Sequence, residues 1–395
     1  MAGWAPFETK YSIHQETYDY GKVNVQLGNR PYYELGIEKS REQSLQSGTA
    51  MAGDVEFSGQ TTEKVIPSPY SPQGIPVSIY KPDNCPEKPA IFVYFFGGGL
   101  VLGGRAIAAP ALKIISRDTG AIIVSVEYRL LPNKDSPCAP IDDGVIATRW
   151  VKENKIAVGG CSESKVGVGG DSSGGYIACC VTNQVYDLDF QVLFYPIGDL
   201  SRTQDSFEEF RHIPGLNEKI LDWYFAHTYK DMPNYLTDPR INPMARENTK
   251  ASPPALIILA ELDPLFGAGL AYAQKLRDAG VFVQCEIIKG VPHSFFCYRK
   301  VFTTKSKEAS DIVEPMENDP GVLSKIIFSD EAIFHLSVLQ VNRHSVRIWR
   351  IQNPHATLEF ERNSLKVNVF CAVTQKTVYG FPSLKDYPSL ALQWL

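Results

Sequence analysis

Short apolar runs alternate with amphipathic segments from about residue 77 to residue 313. The apolar runs are typical of buried strands, which the pattern predicts at Val77–Tyr80, Ala90–Phe96, Ile122–Val126, Val166–Gly169, Val192–Tyr195, Ala255–Ala260 and Val281–Ile288. Helical periodicity is found at Ile141–Glu153, Gly174–Gln184, Asn217–Tyr229, Gly267–Ala279 and Phe302–Val313. Apolar strands between helices predict an α/β fold with a doubly wound, mostly parallel sheet covered on both faces. In such a sheet the active site lies beyond the carboxyl ends of the strands.

The N-terminal part of the chain departs from this alternation. Residues 1–60 are polar, with one helical stretch at Glu34–Leu45. The segment Ile66–Pro76 is rich in proline and glycine, which indicates turns. We therefore expect residues 1–60 to form a region of their own, followed by an α/β domain at residues 61–318.

The C-terminal part changes pattern again. The breaker cluster Met316–Gly321 precedes three strand-like runs with no helical segment between them, at Lys325–Ser329, Val346–Ile351 and Lys366–Val373. We expect a domain boundary near Asp319 and a short β-rich segment at residues 319–395.

Composition narrows the class of protein. With 44% apolar and 21% charged residues, the 395-residue chain has the composition of a globular protein and not of a disordered one. A net charge of −5 gives no support to nucleic-acid binding, so no such partner is expected. No run of about 18 apolar residues is present, so no membrane span is expected. The eight cysteines form no CxxC pair and the N-terminus has no apolar signal region. We expect reduced thiols, no metal site and a cytoplasmic location.

The motif that carries chemistry is Gly170-Asp-Ser-Ser-Gly-Gly175, which fits the pattern G-x-S-x-G. It directly follows a predicted strand and precedes a predicted helix, which is the context of a nucleophile elbow. In such a turn Ser172 occupies a strained apex, and glycines at 170 and 174 leave room where side chains would collide. We therefore predict Ser172 as a catalytic nucleophile.

A serine hydroxyl needs a base, and the base needs a carboxylate to orient it. Of the seven histidines, His293 lies in the loop right after a predicted strand, which places it at the edge of the sheet expected for Ser172. Asp263 also follows a predicted strand and is the predicted carboxylate, with Glu261 as its competitor. The chain order Ser172, Asp263, His293 differs from the orders of chymotrypsin and subtilisin.

The glycines of Phe96-Gly-Gly-Gly-Leu100 follow another predicted strand. Because glycine has no side chain, its N–H can approach a tetrahedral oxyanion closely. We predict the N–H groups of Gly97 and Gly98 as oxyanion donors, with the N–H of Ser173 as the third. A phosphate-binding loop is not supported, because the chain has neither G-x-G-x-x-G before a helix nor G-K-[ST] here.

These residues lie in stretches that resemble the hormone-sensitive-lipase-like group of α/β-hydrolases, which includes arylacetamide deacetylases. The stretches are FFGGGL at 95–100, VSVEYRLLPN at 124–133, GDSSGG at 170–175, AELDPL at 260–265 and VPHSFF at 291–296. The resemblance covers about residues 65–312. It implies an α/β-hydrolase fold with a helical cap, formed by the N-terminal region and by an insertion at about 200–245. It also implies hydrolysis of short-chain or aryl carboxylic esters.

Two residues depart from the pattern of this group. Phe96 stands where the group has the histidine of H-G-G-G, so the resemblance implies that the oxyanion loop has lost a polar anchor. Ser173 stands where the group usually has alanine. Because the backbone N–H of Ser173 is retained, we expect this second departure to have little effect.

Residues 319–395 resemble a different family, the catalytic domain of Tc1/mariner-like transposases. The stretches are IFSDEA at 327–332, VNRH at 341–344, RIW at 347–349 and KVNVFCA at 366–372. Asp330 would match the first carboxylate of that family's acidic triad. The motifs that carry the other carboxylates are absent, and two-metal chemistry needs them. We therefore predict a truncated RNase H-like fragment without a metal site.

The sequence as a whole predicts a serine carboxylic-ester hydrolase that acts on a small-molecule ester through an acyl-enzyme and needs no cofactor. The alternative is a non-catalytic hydrolase-fold protein that binds a small molecule, which only Phe96 favours. The insertion also carries aromatic residues with the spacing of a core stripe, of which some are candidates to line the acyl pocket: Phe207, Phe210, Trp223, Tyr224 and Phe225.

Overall fold

The computed structural model describes residues 3–230 and 232–313, and beyond them only four short strands. The main sheet consists of β1 (Gly59–Ser68), β2 (Ser71–Pro82), β3 (Ile91–Phe95), β4 (Ile122–Val126), β5 (Val166–Asp171), β6 (Phe190–Phe194), β7 (Ala255–Leu262) and β8 (Val283–Pro292). The α-helices in this part of the chain are α1 (Gln15–Gln26), α2 (Ile37–Ala52), α3 (Arg105–Thr119), α4 (Ala139–Glu153), α5 (Ser173–Thr182), α6 (Asp205–Glu209), α7 (Glu218–Thr228), α8 (Phe266–Asp278) and α9 (Thr303–Val313). Short 3₁₀ turns lie at Tyr32–Glu34, Lys155–Val158 and Pro243–Ala245.

The sheet has the strand order β1-β2-β4-β3-β5-β6-β7-β8. The pairs β1–β2 and β2–β4 are antiparallel, and all pairs from β4 to β8 are parallel. Every residue of β3, β4, β5 and β6 is buried, as expected for central strands with helices on both faces. The predicted α/β fold with a mostly parallel sheet is therefore confirmed.

Some elements differ from the sequence pattern. The segment Ile66–Pro76, in which the pattern predicts turns, contains one turn at residues 69 and 70 and otherwise forms the end of β1 and the start of β2. Strand β1 lies at the edge of the sheet, and Pro67 falls at an irregularity of its pairing, where a missing N–H breaks no ladder. Helices α1 and α3 were not predicted. Helix α3 contains Pro110, which interrupts its apolar pattern.

The N-terminal segment packs against later parts of the chain. Trp4 and Phe7 are buried together with Phe210, Ile213 and Leu262. The carboxylate of Glu16 accepts hydrogen bonds from the first turn of α9, at 2.8 Å from the N–H of Thr304 and at 2.9 Å from the hydroxyl of Thr303. A carboxylate at this position stabilises a helix because it satisfies free N–H groups and complements the dipole.

The same segment also contacts the end of β8. The N–H of His14 and the hydroxyl of Thr17 both donate to the carbonyl of Gly290, at 3.0 and 2.7 Å. Gly290 precedes His293 by three residues, so this contact holds the strand end from which the predicted base extends.

The chain divides into two compact units, residues 1–327 and 328–395. In the second unit, Ile333–His335 pairs with Lys366–Asn368, and Ala372–Val373 pairs with Val378–Tyr379, both antiparallel. The predicted strand Lys366–Val373 therefore corresponds to two shorter strands. The predicted strands Lys325–Ser329 and Val346–Ile351, the boundary at Asp319 and the carboxylate of Asp330 lie outside the described residues. Among those that are described, no helix has the length and hydropathy needed to cross a membrane.

Candidate active site

Ser172 lies at a sharp turn between β5 and α5. Its backbone has φ +54° and ψ −119°, a conformation that residues with a side chain rarely adopt. Strain of this kind costs about 1–3 kcal/mol and persists only where the surroundings hold it. Here the N–H of Ser172 donates to the carbonyl of Phe194 at 2.9 Å. The turn therefore places Ser172 at the carboxyl end of the sheet, where it lines two cavities.

The glycines on either side of Ser172 are required by the neighbouring strand. A Cβ atom at Gly170 or Gly174 would collide with the carbonyl oxygen of Phe95, the last residue of β3. The backbone of β3 therefore passes closer to the turn than any side chain would allow. This close approach brings the glycine loop that follows β3 next to Ser172.

Asp263, His293 and Ser172 form one chain of hydrogen bonds. The Nδ1 atom of His293 lies 2.6 Å from a carboxylate oxygen of Asp263, and its Nε2 atom lies 2.7 Å from Oγ of Ser172. Asp263 is fully buried, and the other two residues are only 7% exposed. With Nδ1 donating to the carboxylate, Nε2 is left as the acceptor for the serine hydroxyl. The structure thus brings together the three residues that the motifs single out.

The competing carboxylate, Glu261, has other partners. It accepts hydrogen bonds from Nζ of Lys289 and from the N–H of Gly290, both at 2.8 Å. Glu261 therefore fixes the end of β8 and does not contact His293. This observation favours Asp263 over Glu261 as the residue that orients the imidazole.

Gly97 differs from the sequence expectation. Its N–H donates to Oδ1 of Asp171 at 2.8 Å, and the same oxygen accepts the hydroxyl of Tyr94 at 2.7 Å. Burial raises the pKa of Asp171, although the hydrogen bonds from Tyr94 and Gly97 act in the opposite direction. The N–H of Gly97 is thus assigned to a carboxylate and not to an oxyanion, because the residue before the nucleophile turns its side chain toward the loop.

The next two glycines are placed differently. Gly98 and Gly99 have φ values of +135° and +62°, and both line the same cavity as Ser172 and His293. Among the described residues, neither of their N–H groups has a hydrogen-bond acceptor. Ser173 is the first residue of α5, so its N–H has no acceptor within the helix. In the part of the chain that the structure describes, three backbone donors near Ser172 thus have no acceptor and can bind an anionic oxygen.

The glycine loop is anchored although Phe96 stands where the resemblance would place a histidine. The ring of Phe96 stacks on that of Tyr128, with centroids 4.2 Å apart, and the Tyr128 hydroxyl donates to the carbonyl of Phe96 at 2.7 Å. The hydroxyl of Ser173 accepts the N–H of Leu100 at 3.2 Å. From α2, Arg41 donates to the carbonyl of Val101 at 3.1 Å. Ser173 therefore has a side-chain contact that alanine could not make.

Sequence reasoning did not assign functions to Asp171, Tyr128 or Arg41. Asp171 and Tyr128 lie inside the motifs GDSSGG and VSVEYRLLPN, so the sequence did contain a signal that could have identified them. Arg41 lies in the polar N-terminal region and carries no local signal. Its contact with the loop depends on the tertiary placement of α2.

Two cavities meet at Ser172. The larger has a volume of about 390 Å³, and residues from α1, α7 and the glycine loop line it together with Ser172 and His293. The smaller has a volume of about 80 Å³ and includes Ser172 but not His293 in its lining. A site with a nucleophile, a base, backbone donors and adjoining cavities can hold a carbonyl compound and transfer its acyl group.

The chain is similar to several known ester hydrolases. Ethyl acetate hydrolase of Pseudomonas putida is 30% identical over 295 residues, which cover 73% of this chain and 92% of that protein. Carboxylesterase NlhH of Mycobacterium tuberculosis is 36% identical over 219 residues, which cover 53% of this chain and 67% of that protein. A solved ester hydrolase from the metagenome of Lake Arreo superposes with a TM-score of 0.71 at 26% identity, covering 76% of this chain and 98% of that chain. The family model of the alpha/beta hydrolase fold matches residues 92–297, which include the glycine loop and all three residues of the hydrogen-bonded chain. The protein belongs to the alpha/beta hydrolase family.

Proposed function

We propose that this protein is a serine hydrolase of short-chain or aryl carboxylic esters, of the carboxylesterase and arylacetamide deacetylase type. The observation that carries the proposal is the continuous hydrogen-bonded chain from Asp263 through His293 to Ser172, with distances of 2.6 and 2.7 Å. This chain of hydrogen bonds activates the Ser172 hydroxyl, whereas a serine hydroxyl without a base is a weak nucleophile. The ester hydrolases among the similar proteins support the same reaction class.

In the first step, Ser172 acts as the nucleophile and His293 as the general base. Oγ forms a bond to the ester carbonyl carbon while Nε2 takes the hydroxyl proton. The electron pair of the carbonyl double bond moves to oxygen. Asp263 stays ionised, holds the tautomer of His293 and stabilises the imidazolium that forms.

The negative oxygen of the tetrahedral intermediate is bound by backbone N–H groups. We assign this role to Gly98, Gly99 and Ser173, because Gly97 already donates to Asp171. Fixed N–H dipoles stabilise an oxyanion without reorganisation, and losing one such donor lowers kcat about 10²–10³-fold. The hydrogen bond between Leu100 and Ser173 holds the loop and the turn in register.

The intermediate then collapses and the bond to the alcohol oxygen breaks. The imidazolium of His293 gives its proton to the departing alcohol, and Ser172 keeps the acyl group. Water attacks the acyl-enzyme by the same route and releases the carboxylic acid. The overall reaction consumes one ester and one water and regenerates the enzyme, so its balance requires no further co-reactant.

The domain assignments remain part of the proposal. We place a cap in the N-terminal region (1–60) and in the insertion at about 200–245, over a hydrolase domain at 61–318. Tyr32 from the first segment and Asn217 from the second both line the larger cavity, which supports this arrangement. We also propose a cytoplasmic location, supported by the seven described cysteines, all of which are unpaired.

The alternative of a non-catalytic binding protein depended on Phe96. That residue is accommodated by stacking on Tyr128, and the loop keeps its free N–H groups. A binding protein would not need a strained Ser172 within hydrogen-bond distance of a base. These contacts favour catalysis over simple binding.

The test is initial-rate hydrolysis of p-nitrophenyl acetate, butyrate and octanoate by the full chain. We expect Ser172→Ala to lower kcat by at least about 10³-fold. Ser162→Ala is the matched control, because Ser162 is exposed and makes no side-chain contact with the site. Equal rates for the parent and Ser172→Ala on every ester, with both proteins folded, would refute the proposal.

A further inference from the structure

The two cavities that meet at Ser172 differ in size, so the two parts of a bound ester occupy unequal spaces. Four of the described residues line both cavities: Gly99, Ser172, Leu216 and Tyr224. An ester carbonyl at Ser172 therefore has one substituent in the larger cavity of about 390 Å³ and the other in the smaller cavity of about 80 Å³. The position of His293 decides which substituent goes where.

The leaving alcohol must lie on the side of His293. Its oxygen receives the proton from Nε2, which requires hydrogen-bond distance between the two atoms. His293 lines the larger cavity only. The alcohol part of the ester therefore occupies the larger cavity, and the acyl part occupies the smaller one.

The smaller cavity sets the length of the acyl chain. A cavity of about 150 Å³ holds benzene, so 80 Å³ accommodates roughly half as many carbon atoms, about three. Its lining includes the side chains of Leu200, Leu221 and Leu265. Two charged residues also line it, and both have partners: the guanidinium of Arg202 is paired with Asp222 at 2.7 Å, and the carboxylate of Asp199 accepts the hydroxyl of Ser201 at 2.7 Å. The acyl group that fits is short and apolar.

The larger cavity suits an aromatic alcohol. Its volume lies within the range of about 300–1,000 Å³ that is common for ligand sites. Five tyrosines line it, and aromatic rings pair favourably with other rings: Tyr20, Tyr32, Tyr33, Tyr224 and Tyr298. An aromatic ring attached to the alcohol oxygen would lie among these side chains.

Tyr224 forms the wall between the two cavities. Its ring packs so closely on the glycine loop that a Cβ atom at Gly99 would collide with it. The packing of α7 against the loop fixes this ring, because its neighbour Trp223 is buried with Val101 and Leu102. Removing the ring would join the smaller cavity to the larger one.

We propose that the substrates are esters of aromatic alcohols with short, apolar acids that have about three carbons beyond the carbonyl, and that Tyr224 determines the acyl length. The inference rests on the proposed function, since it assumes that Ser172 is acylated. It concerns specificity and is tested by comparing substrates rather than by activity alone.

The decisive comparison uses two isomeric esters, benzyl propanoate and ethyl phenylacetate. They have the same formula and both release an unactivated alcohol, but the ring is on the alcohol in the first and on the acyl group in the second. For the full chain we expect kcat/KM to favour benzyl propanoate by about tenfold or more. Along the p-nitrophenyl series, kcat/KM should fall about tenfold from butyrate to octanoate.

Variants of Tyr224 test the wall. Tyr224→Ala should reduce the kcat/KM ratio of benzyl propanoate to ethyl phenylacetate about tenfold. It should raise the kcat/KM ratio of the octanoate to the butyrate ester about tenfold. Tyr224→Phe keeps the ring, so both ratios should stay close to those of the parent. Tyr224→Leu is a second variant that removes the ring but keeps apolar packing on α7.

The possible outcomes separate the inference from the proposed function. Hydrolysis that depends on Ser172 but favours ethyl phenylacetate, or treats the isomers equally, overturns the inference and leaves the reaction class intact. Ratios that do not change in folded Tyr224→Ala or Tyr224→Leu overturn the role of the wall. If no ester is hydrolysed faster than by Ser172→Ala, the proposed function itself fails.

Discussion

Replacing Asp171 by alanine would remove an oxygen that accepts two hydrogen bonds beneath the active site. Oδ1 of Asp171 receives the Tyr94 hydroxyl at 2.7 Å and the Gly97 N–H at 2.8 Å. Tyr94 is fully buried and Asp171 is 5% exposed, so water does not readily take the place of the carboxylate. The same contacts join the residue before Ser172 to the loop that carries the proposed oxyanion donors.

The size of the effect follows from the two donors. Each buried donor left without an acceptor costs about 1–3 kcal/mol, so Asp171→Ala should lower the free energy of unfolding by about 2–6 kcal/mol. Asp171→Asn should lower it by less than about 1.5 kcal/mol, because one amide oxygen can accept both bonds. Burial also raises the pKa of Asp171, which shows that its surroundings disfavour the charge that asparagine lacks.

The two variants should also differ in catalysis. Without its acceptor the Gly97 N–H loses its position, and Gly98 follows Gly97 directly in the donor loop. We expect kcat of Asp171→Ala to fall about 10–100-fold, less than for outright loss of an oxyanion donor, with KM changed only a few-fold. Asp171→Asn should keep kcat within a few-fold of the parent.

The assay combines urea unfolding with steady-state kinetics on p-nitrophenyl butyrate, at a temperature where all variants are folded. The reasoning is refuted if Asp171→Ala is as stable as the parent, because the hydrogen bonds would then contribute nothing. It is also refuted if Asp171→Asn loses as much stability and kcat as Asp171→Ala. In that case the charge of Asp171, and not its role as acceptor, would matter.

Three further changes follow from the contacts described above. Asp263→Asn removes the negative charge that stabilises protonated His293, so kcat should fall about 10³–10⁴-fold. An unchanged kcat in steady-state assays would contradict this role. Ser173→Ala removes the acceptor of the Leu100 N–H and should lower the free energy of unfolding by about 0.5–1.5 kcal/mol and kcat a few-fold; identical urea curves and kinetics would mean that the hydroxyl anchors nothing. Burial raises the pKa of Glu16, but the hydrogen bonds from α9 outweigh it and lower the pKa below the ordinary value of 4.5. The contribution of Glu16 to stability is therefore complete above that value and is lost as the pH falls through the lowered folded pKa. Glu16→Gln should be less stable than the parent near neutral pH and should lose less stability on acidification, and parallel pH profiles of urea unfolding would contradict this.

The sequence could predict Ser172, Asp263 and His293 because each directly follows a strand of the parallel sheet. Strand ends in such a sheet meet at one edge, so local pattern carries three-dimensional information there. The use of Gly97 could not be foreseen in this way. Its N–H is taken by Asp171, and the direction of that side chain depends on the close approach of β3 to the turn.

Elements without a regular apolar period could not be predicted from the local sequence pattern either. Helix α3 contains Pro110, yet seven of its residues are buried, so tertiary packing outweighs the local preference. The hairpin of β1 and β2 begins in a segment rich in proline. It is stabilised by pairing β2 with β4, a contact between residues that are distant in sequence.

The attachment of the N-terminal segment to the end of β8 affects how the protein is made. Thr17 and Gly290 are separated by 273 positions in the sequence. Because a ribosome adds about 5–20 residues per second, Thr17 is synthesised about 14–55 s before Gly290. Trp4 and Phe7 are likewise synthesised well before Phe210, with which they are buried. During translation Trp4, Phe7 and Thr17 therefore lack these partners until the later segments have been made, and His293 is added only three residues after Gly290.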